Sequence, residues 1–151
     1  MNKQAVLATL ALGFGLGLAL AAPVTYARDD VQQMSIADAM NSADAKDQLD
    51  GSVKFYWSTQ SHPAVVQKYG TFTSNKKTSF FGKSAEAGCA RAFLSAMIAM
   101  QARAVHEGGN AVIDLHSVYK GHEFESATQY ECGAGAIMGG TALRGTVVKI
   151  K

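Results

Sequence analysis

Apolar and polar positions along the 151 residues fall into three regimes. Residues 5–22 carry no charge and are rich in Leu, Ala and Gly. Residues 84–107 repeat their apolar positions with a helical period. Much of the rest is short extended stretches, several alternating in polarity, separated by Gly, Asn and charged turn residues.

The helical regime is the clearest. Cys89, Phe93, Met97, Met100 and Ala104 recur at intervals of 4, 4, 3 and 4 residues, which is one face of an α-helix. Ser84 suits an N-cap, and Glu86 faces the positive end of the helix dipole. Arg103 and His106 sit near the negative end, and Gly108-Gly109 stops the helix. Leu94, Ile98 and Val105 widen the apolar zone. Such a helix lies against a sheet. Methionines at this spacing read as core filler rather than as a metal or partner site.

Before it, residues 28–50 form a polar N-terminal segment, in which Ser35 caps a short helix over 36–40 and a second turn runs over 43–49. The aromatic and β-branched run 53–57 reads as a strand, ended at Ser61-His62-Pro63. Residues 65–74 form a second extended stretch, followed by the turn signal Asn75-Lys76-Lys77 and the apolar plug Phe80-Phe81-Gly82. After the helix, residues 111–119 alternate, with Ile113, Leu115 and Ser117 on one face and Val112, Asp114, His116 and Val118 on the other. Lys120 to Glu123 connects them to a strand over 124–132, whose Phe124, Ser126, Thr128, Tyr130 and Cys132 share a face. A last β-branched strand runs over about 141–150. Sequential strands with short turns favour antiparallel pairing. The expected fold is therefore α+β: an antiparallel sheet of about four to five strands with one long helix packed on one face.

The apolar run changes the picture of where the protein works. A basic start, 18 uncharged residues, Pro23 and the small residues Thr25 and Ala27 before Arg28 have the layout of a secretory signal peptide over 1–27. An uncleaved anchor is the rival reading. No cysteine stands at the cut to receive a lipid, so the processed chain is expected free in the periplasm or secreted, with no stable membrane span. Residues 28–151 carry 13 Lys+Arg against 12 Asp+Glu, a balance that argues against nucleic-acid binding. Their length suits one domain, over 51–151, after the polar segment.

Cys89 and Cys132 are the only cysteines. In an oxidising compartment they are expected to form a structural disulfide that pins the helix to the sheet. The absence of C-x-x-C weighs against a redox catalyst.

The run Gly108-Gly109-Asn110-Ala111-Val112-Ile113 after a long helix, the hairpin from Leu115 to Cys132, and the small-residue run Gly133 to Ala136 before a final strand resemble the RcsF/YbjQ-type small envelope domains. The resemblance spans about residues 53–151. It implies the same α+β fold and a role in envelope contacts, possible stress signalling included; the missing lipidation cysteine and second bridge depart from RcsF. It also implies metal binding in the YbjQ-like branch. Some similar periplasmic proteins carry the label of an excinuclease ATPase subunit, but this chain has no G-x-x-x-x-G-K-[ST] phosphate loop.

Candidate chemistry is sparse. Asp114 and His116 share a strand face, with His122, Glu123 and Glu125 across the turn, a donor set suited to zinc or another divalent ion. The plainer reading is a solvent-facing polar hairpin, because no zinc-type ligand spacing is present. The Gly-rich run 133–145 lacks a dinucleotide fingerprint and reads as a turn, and Ser117 to Lys120 spells S-x-x-K without its partner motifs. No cofactor is expected beyond that divalent metal. The expected function is a non-catalytic periplasmic interaction or accessory module. Its partner is an envelope protein or another envelope component, and its contact surface the sheet face around Asp114 and His116. Self-association is compatible with this. A metal-binding protein and a small hydrolase are the alternatives. The leader gives a direct test: intact mass of the natural product is expected to begin at Arg28, and a retained Met1 refutes cleavage.

Overall fold

The computed structural model describes residues 29–151, so the leader expected over residues 1–27 lies outside them. In chain order the elements are β1 (Asp29–Ser35), α1 (Ile36–Asn41), α2 (Ala43–Gln48), β2 (Lys54–Trp57), β3 (Val65–Ser79), α3 (Ala85–Glu107), β4 (Ala111–Ser117), β5 (Gln129–Gly135) and β6 (Met138–Ile150), with a single 3₁₀ turn at Tyr119–Gly121. Among these, no helix is long and apolar enough to cross a membrane.

All six strands belong to one sheet with β6 at its hub. β3 runs antiparallel along the full length of β6, from Val65 opposite Ile150 to Ser79 opposite Met138. On the other side β6 pairs with β4 over Leu143–Val148 and with β5 at Gly139 and Gly140. β1 adds to β5, and β2 adds to β4.

Four expectations are overturned by the sheet. The sheet has six strands rather than four or five, and it is mixed rather than antiparallel, because β2 and β4 are parallel. The parallel pair follows from chain order: β3 and α3 lie between β2 and β4 and supply the crossover such a pair requires. The extra strand is β1, Asp-Asp-Val-Gln-Gln-Met-Ser, where the hydrophobic pattern is weak and the backbone ladder to β5 does the holding. Asn75, Lys76 and Lys77 do not turn; they continue β3 opposite Ala142, Thr141 and Gly140. Only Phe124 of the 124–128 stretch bridges, to Ser117, and β5 begins at Gln129.

The long helix forms where its caps predict. Ser84 Oγ accepts the Ala87 amide at 3.2 Å, and Gly108 closes the helix with φ of +84°. Cys89, Phe93, Met97, Met100 and Ala104 are all at most 1 % exposed and form the seam of α3 with the sheet. Val105, expected to widen that seam, is exposed. Phe93 lies between Trp57 of β2 and Tyr130 of β5, with ring centroids 5.7 and 4.2 Å away. The short helices close one side: Ser35 caps α1, and Ile36 and Ala39 join the same core. A second, smaller apolar cluster of Ala111, Ile113, Val148 and Ile150 lies on the opposite face.

Strict alternation fails in β4. The register slips between Ile113 and His116, and Asp114 takes φ of +51°. This is a β-bulge, in which two residues oppose one. It shifts the phase of the strand, so Val112 and Leu115 both enter the core under α3. Gly145 lies opposite, and a Cβ there would stand 2.5 Å from Val112 Cγ1 and 3.0 Å from Leu115 Cδ1. The expected face partition, with Leu115 opposite Val112, is thereby overturned.

Cys89 and Cys132 form the expected disulfide, with Cα atoms 5.9 Å apart and 43 positions of chain between them. Closing that loop restricts the unfolded chain by about 4 kcal/mol in the entropy model. Replacing both cysteines by alanine is expected to lower Tm by about 15 °C in calorimetry. A second outcome follows from Tyr130, whose burial pushes its hydroxyl well above the usual phenol range. The unfolded chain ionises that group near pH 10 or so, and the folded chain does not. Stability is therefore full below that pH and falls as pH rises past it. An ultraviolet absorbance titration is expected to leave one tyrosine un-ionised until the protein unfolds.

Candidate functional site

The face of the sheet away from α3 is set by β6. Period-two alternation sends Leu143 and Val147 into the core and Arg144 and Thr146 to the other side. β3 supplies Thr71 and Thr73 beside them. Thr71 and Thr146 hydroxyls meet at 2.9 Å, and Arg144 Nε donates to Thr73 Oγ1 at 3.3 Å. Arg144 Nη1 also donates to Glu123 Oε1 at 2.7 Å. Both side chains of that ion pair are substantially exposed, so solvent screens it and its worth is at most about 1 kcal/mol.

His116 pairs across the ladder with Arg144. Its Nδ1 donates to the backbone carbonyl of Asp114 at 2.7 Å. A carbonyl only accepts, so the proton sits on Nδ1 and Nε2 of the neutral ring carries the lone pair. That Nε2 is enclosed without a partner. The Asp114 carboxylate is exposed, projected outward by the bulge. A non-glycine residue in the left-handed region is strained, though aspartate tolerates it better than most.

A separate polar cluster forms where β4 and β5 meet end to end against β6. Glu131 is only 6 % exposed. Its amide donates to Ser117 Oγ at 2.9 Å, and Thr141 Oγ1 donates to its carbonyl at 2.6 Å. These side-chain bonds fill a gap in the strand ladder. His122 Nδ1 donates to the Glu131 carboxylate at 3.2 Å from a largely exposed position.

The residues expected to gather around a metal therefore occupy two places. Asp114 and His116 are joined through a backbone carbonyl, with Glu123 nearby on Arg144, while His122 turns to Glu131. Glu125 is exposed. Among the described residues no group of three or more His, Cys, Asp or Glu is placed to hold a metal ion. Arg144 and Glu131 are the functional-looking residues that sequence reasoning passed over. Alternation with Thr146 is a signal for Arg144. Nothing adjacent marks Glu131, because its partners Ser117, His122 and Thr141 lie 14, 9 and 10 positions away.

Concave surface lies elsewhere. An open groove of about 680 Å³ runs beside α3, past Asp44, Lys83, Arg91 and Leu94. A smaller one of about 290 Å³ lies between Phe72 and Arg103. Neither is lined by histidine or cysteine. The Ser42 and Ser95 hydroxyls of the larger groove donate to the carbonyls of Ala39 and Arg91. No family model, no curated protein and no solved structure matches the chain.

Proposed function

We propose that this chain is an exported, non-catalytic interaction module of the cell envelope, and that it meets an envelope protein with the sheet face carrying Asp114, His116, Arg144 and Glu123. The observation that carries this reading is the arrangement of that face. Charged and polar groups are set on a rigid sheet, with Asp114 pushed outward by a bulge. Such a surface offers complementary charges and little depth, which suits a macromolecular partner. The Cys89–Cys132 bridge fits an oxidising compartment. The signal-peptide layout of residues 1–27 and the RcsF/YbjQ-type resemblance support the same placement.

A second reading has one observation in its favour. The His116 ring is oriented by a backbone carbonyl on Nδ1 in the manner of a metal-ligating histidine, which makes Nε2 the ligating atom of the neutral form. Titration calorimetry with zinc and copper, against an Asp114→Ala/His116→Ala/His122→Ala variant, tests it. Heat lost in the variant supports metal binding, and indifference of both proteins removes it.

The interaction reading is tested by photo-crosslinking in the native envelope. A photoreactive residue at position 114 is compared with one at position 91 on α3. The expected result is one protein adduct specific to position 114, reduced at least about tenfold by Arg144→Glu, as loss of a charged contact at an interface centre predicts. Adducts only from position 91, or none, overturn it.

A further inference from the structure

We propose that the groove between β3 and the second half of α3 binds the carboxylate of a small ligand, with Arg103, Lys76 and the Ser74 hydroxyl as its contacts. The groove lies on the helix side of the sheet, so it is independent of the face around Arg144.

The groove, of about 290 Å³, is lined from both elements. In β3, alternation turns Phe72, Ser74 and Lys76 toward α3 and leaves Thr73 and Asn75 exposed. From the helix come Ala99, Met100 and Arg103. Ser74 is only 7 % exposed, and its Oγ is enclosed without a hydrogen-bond partner among the described residues. Buried hydroxyls are ordinarily paired, and an unpaired one costs free energy that alanine at the same place would not. The polar side chains that share the groove's helix side with Ser74 are cationic. Arg103 holds its guanidinium carbon 4.7 Å from the centre of the Phe72 ring. Its Nη1 donates to Glu107 Oε1 at 3.0 Å, while Nε and Nη2 have no partner among the described residues. Lys76 makes no ion pair among the described residues.

Charge names the ligand as an anion. β3, its partner β6, and residues 87–106 of α3 contain no Asp or Glu. Glu107, one turn beyond Arg103, is the acidic group that meets these cations. The Arg103 N–H holds its carboxyl below the usual carboxylate range, so it stays ionised. Lys76 and Arg103 set against Glu107 leave a surplus of about one positive charge, which one carboxylate balances and a phosphate dianion exceeds. The unused edge of the guanidinium is planar and forked, matching the two oxygens of a carboxylate. The Ser74 O–H adds a further donor. Arg103 is about half exposed and Lys76 partly so, and both are long, so either can swing to admit a ligand to that hydroxyl. The groove is smaller than one that encloses a drug-sized molecule, and it suits a carboxylate on a short apolar stem laid along Phe72 and Ala99. A free short-chain acid and the C-terminus of a peptide both present that group.

The test titrates isotope-labelled protein with butyrate and follows backbone amide and arginine Nε–H resonances by nuclear magnetic resonance. Saturable shifts are expected at Phe72, Ser74 and the Arg103 Nε–H, with a Kd of about 5 mM for so small a ligand. Arg103→Gln is expected to weaken binding at least about tenfold, through loss of the charge-assisted fork. Ser74→Ala is expected to weaken it about fivefold, and the more exposed Lys76→Gln about threefold. Glu107→Gln, which removes the competing carboxylate, is expected to tighten it about threefold. Ser74→Ala is also expected to raise Tm without ligand, because it removes an unpaired buried hydroxyl. A serine with no binding role would give that rise alone. Unchanged Tm in Lys76→Gln and Arg103→Gln checks that those variants fold. Butylamine is expected not to bind. Tetra-alanine is expected to bind with a free C-terminus and not as the amide, and its affinity relative to butyrate tells a peptide end from a free acid. Shifts that do not saturate, or that chloride reproduces at the same ionic strength, overturn the proposal. So does wild-type binding by Arg103→Gln or Ser74→Ala, or tighter binding of inorganic phosphate than of butyrate.

Discussion

The bond between Cys89 and Cys132 sets which way the rest of the domain faces. Cys89 stands in the second turn of α3, and Cys132 in the middle of β5. Tying them fixes the face of β5 that meets the helix. Because a strand alternates, the tie commits Tyr130 and Ala134 to the core and turns Glu131 away. A one-residue slip would bury the wrong set. The same tie brings Phe93, one helical turn beyond Cys89, onto the Tyr130 ring at a centroid distance of 4.2 Å. The sulfur bridge and the ring stack thus brace α3 and β5 at neighbouring points.

β6 carries that choice across the sheet. It is the strand shared by β3, β4 and β5, so its alternation separates a dry face under α3 from a face beyond it that is polar around Arg144 and Thr146 and apolar around Val148 and Ile150. Two devices keep the faces distinct. The bulge at Asp114 lets β4 send both Val112 and Leu115 to the dry side, and the lack of a side chain at Gly145 leaves room for them. The hydroxyls of Ser117 and Thr141 satisfy the Glu131 backbone where β4 and β5 abut and no regular ladder can form. The candidate contact face is thus a by-product of how the core is phased. Asp114 is outside because Leu115 is inside.

What could be read from sequence follows from the range of the interaction responsible. The helix, its Ser84 cap, its Gly108 stop and the stripe Cys89, Phe93, Met97, Met100 and Ala104 were legible, because they depend on neighbours a few positions away, whereas buried Ala92 and Ala96 and exposed Val105 were not. The disulfide was legible because two cysteines leave a single pairing. β1 was not, since one valine in a polar heptapeptide gives no periodic signal and its place is fixed by backbone bonds to residues about a hundred positions away. The parallel pairing of β2 with β4 is non-local in the same way. Of the candidate site, Asp114 and His116 were found on their proper surface, but for a reason that simple alternation misses. The separation of His122 from them depends on its contact with the Glu131 carboxylate, nine positions along the chain.

The free edges of the sheet decide how such a molecule can associate. β3 is 15 residues long and, among the described residues, pairs only with β6, so it offers the template on which another chain could add. Its sequence blunts that risk. Lys68, Lys76 and Lys77 put charge along the edge, and register shifts around Gln67 and Gly70 break the regular spacing of its free backbone groups. Apolar exposure, by contrast, is tolerated where no ladder can extend, at the convex turns bearing Phe81 and Ile137. A fold that guards its edge with charge while leaving its turn crests apolar keeps its exposed apolar groups away from open backbone ladders. The polar face around Arg144 and this apolar end are carried by the same strand, β6, on different stretches of its 13 residues. The pairing of β6 with β3 along its full length holds the two surfaces in one fixed relation.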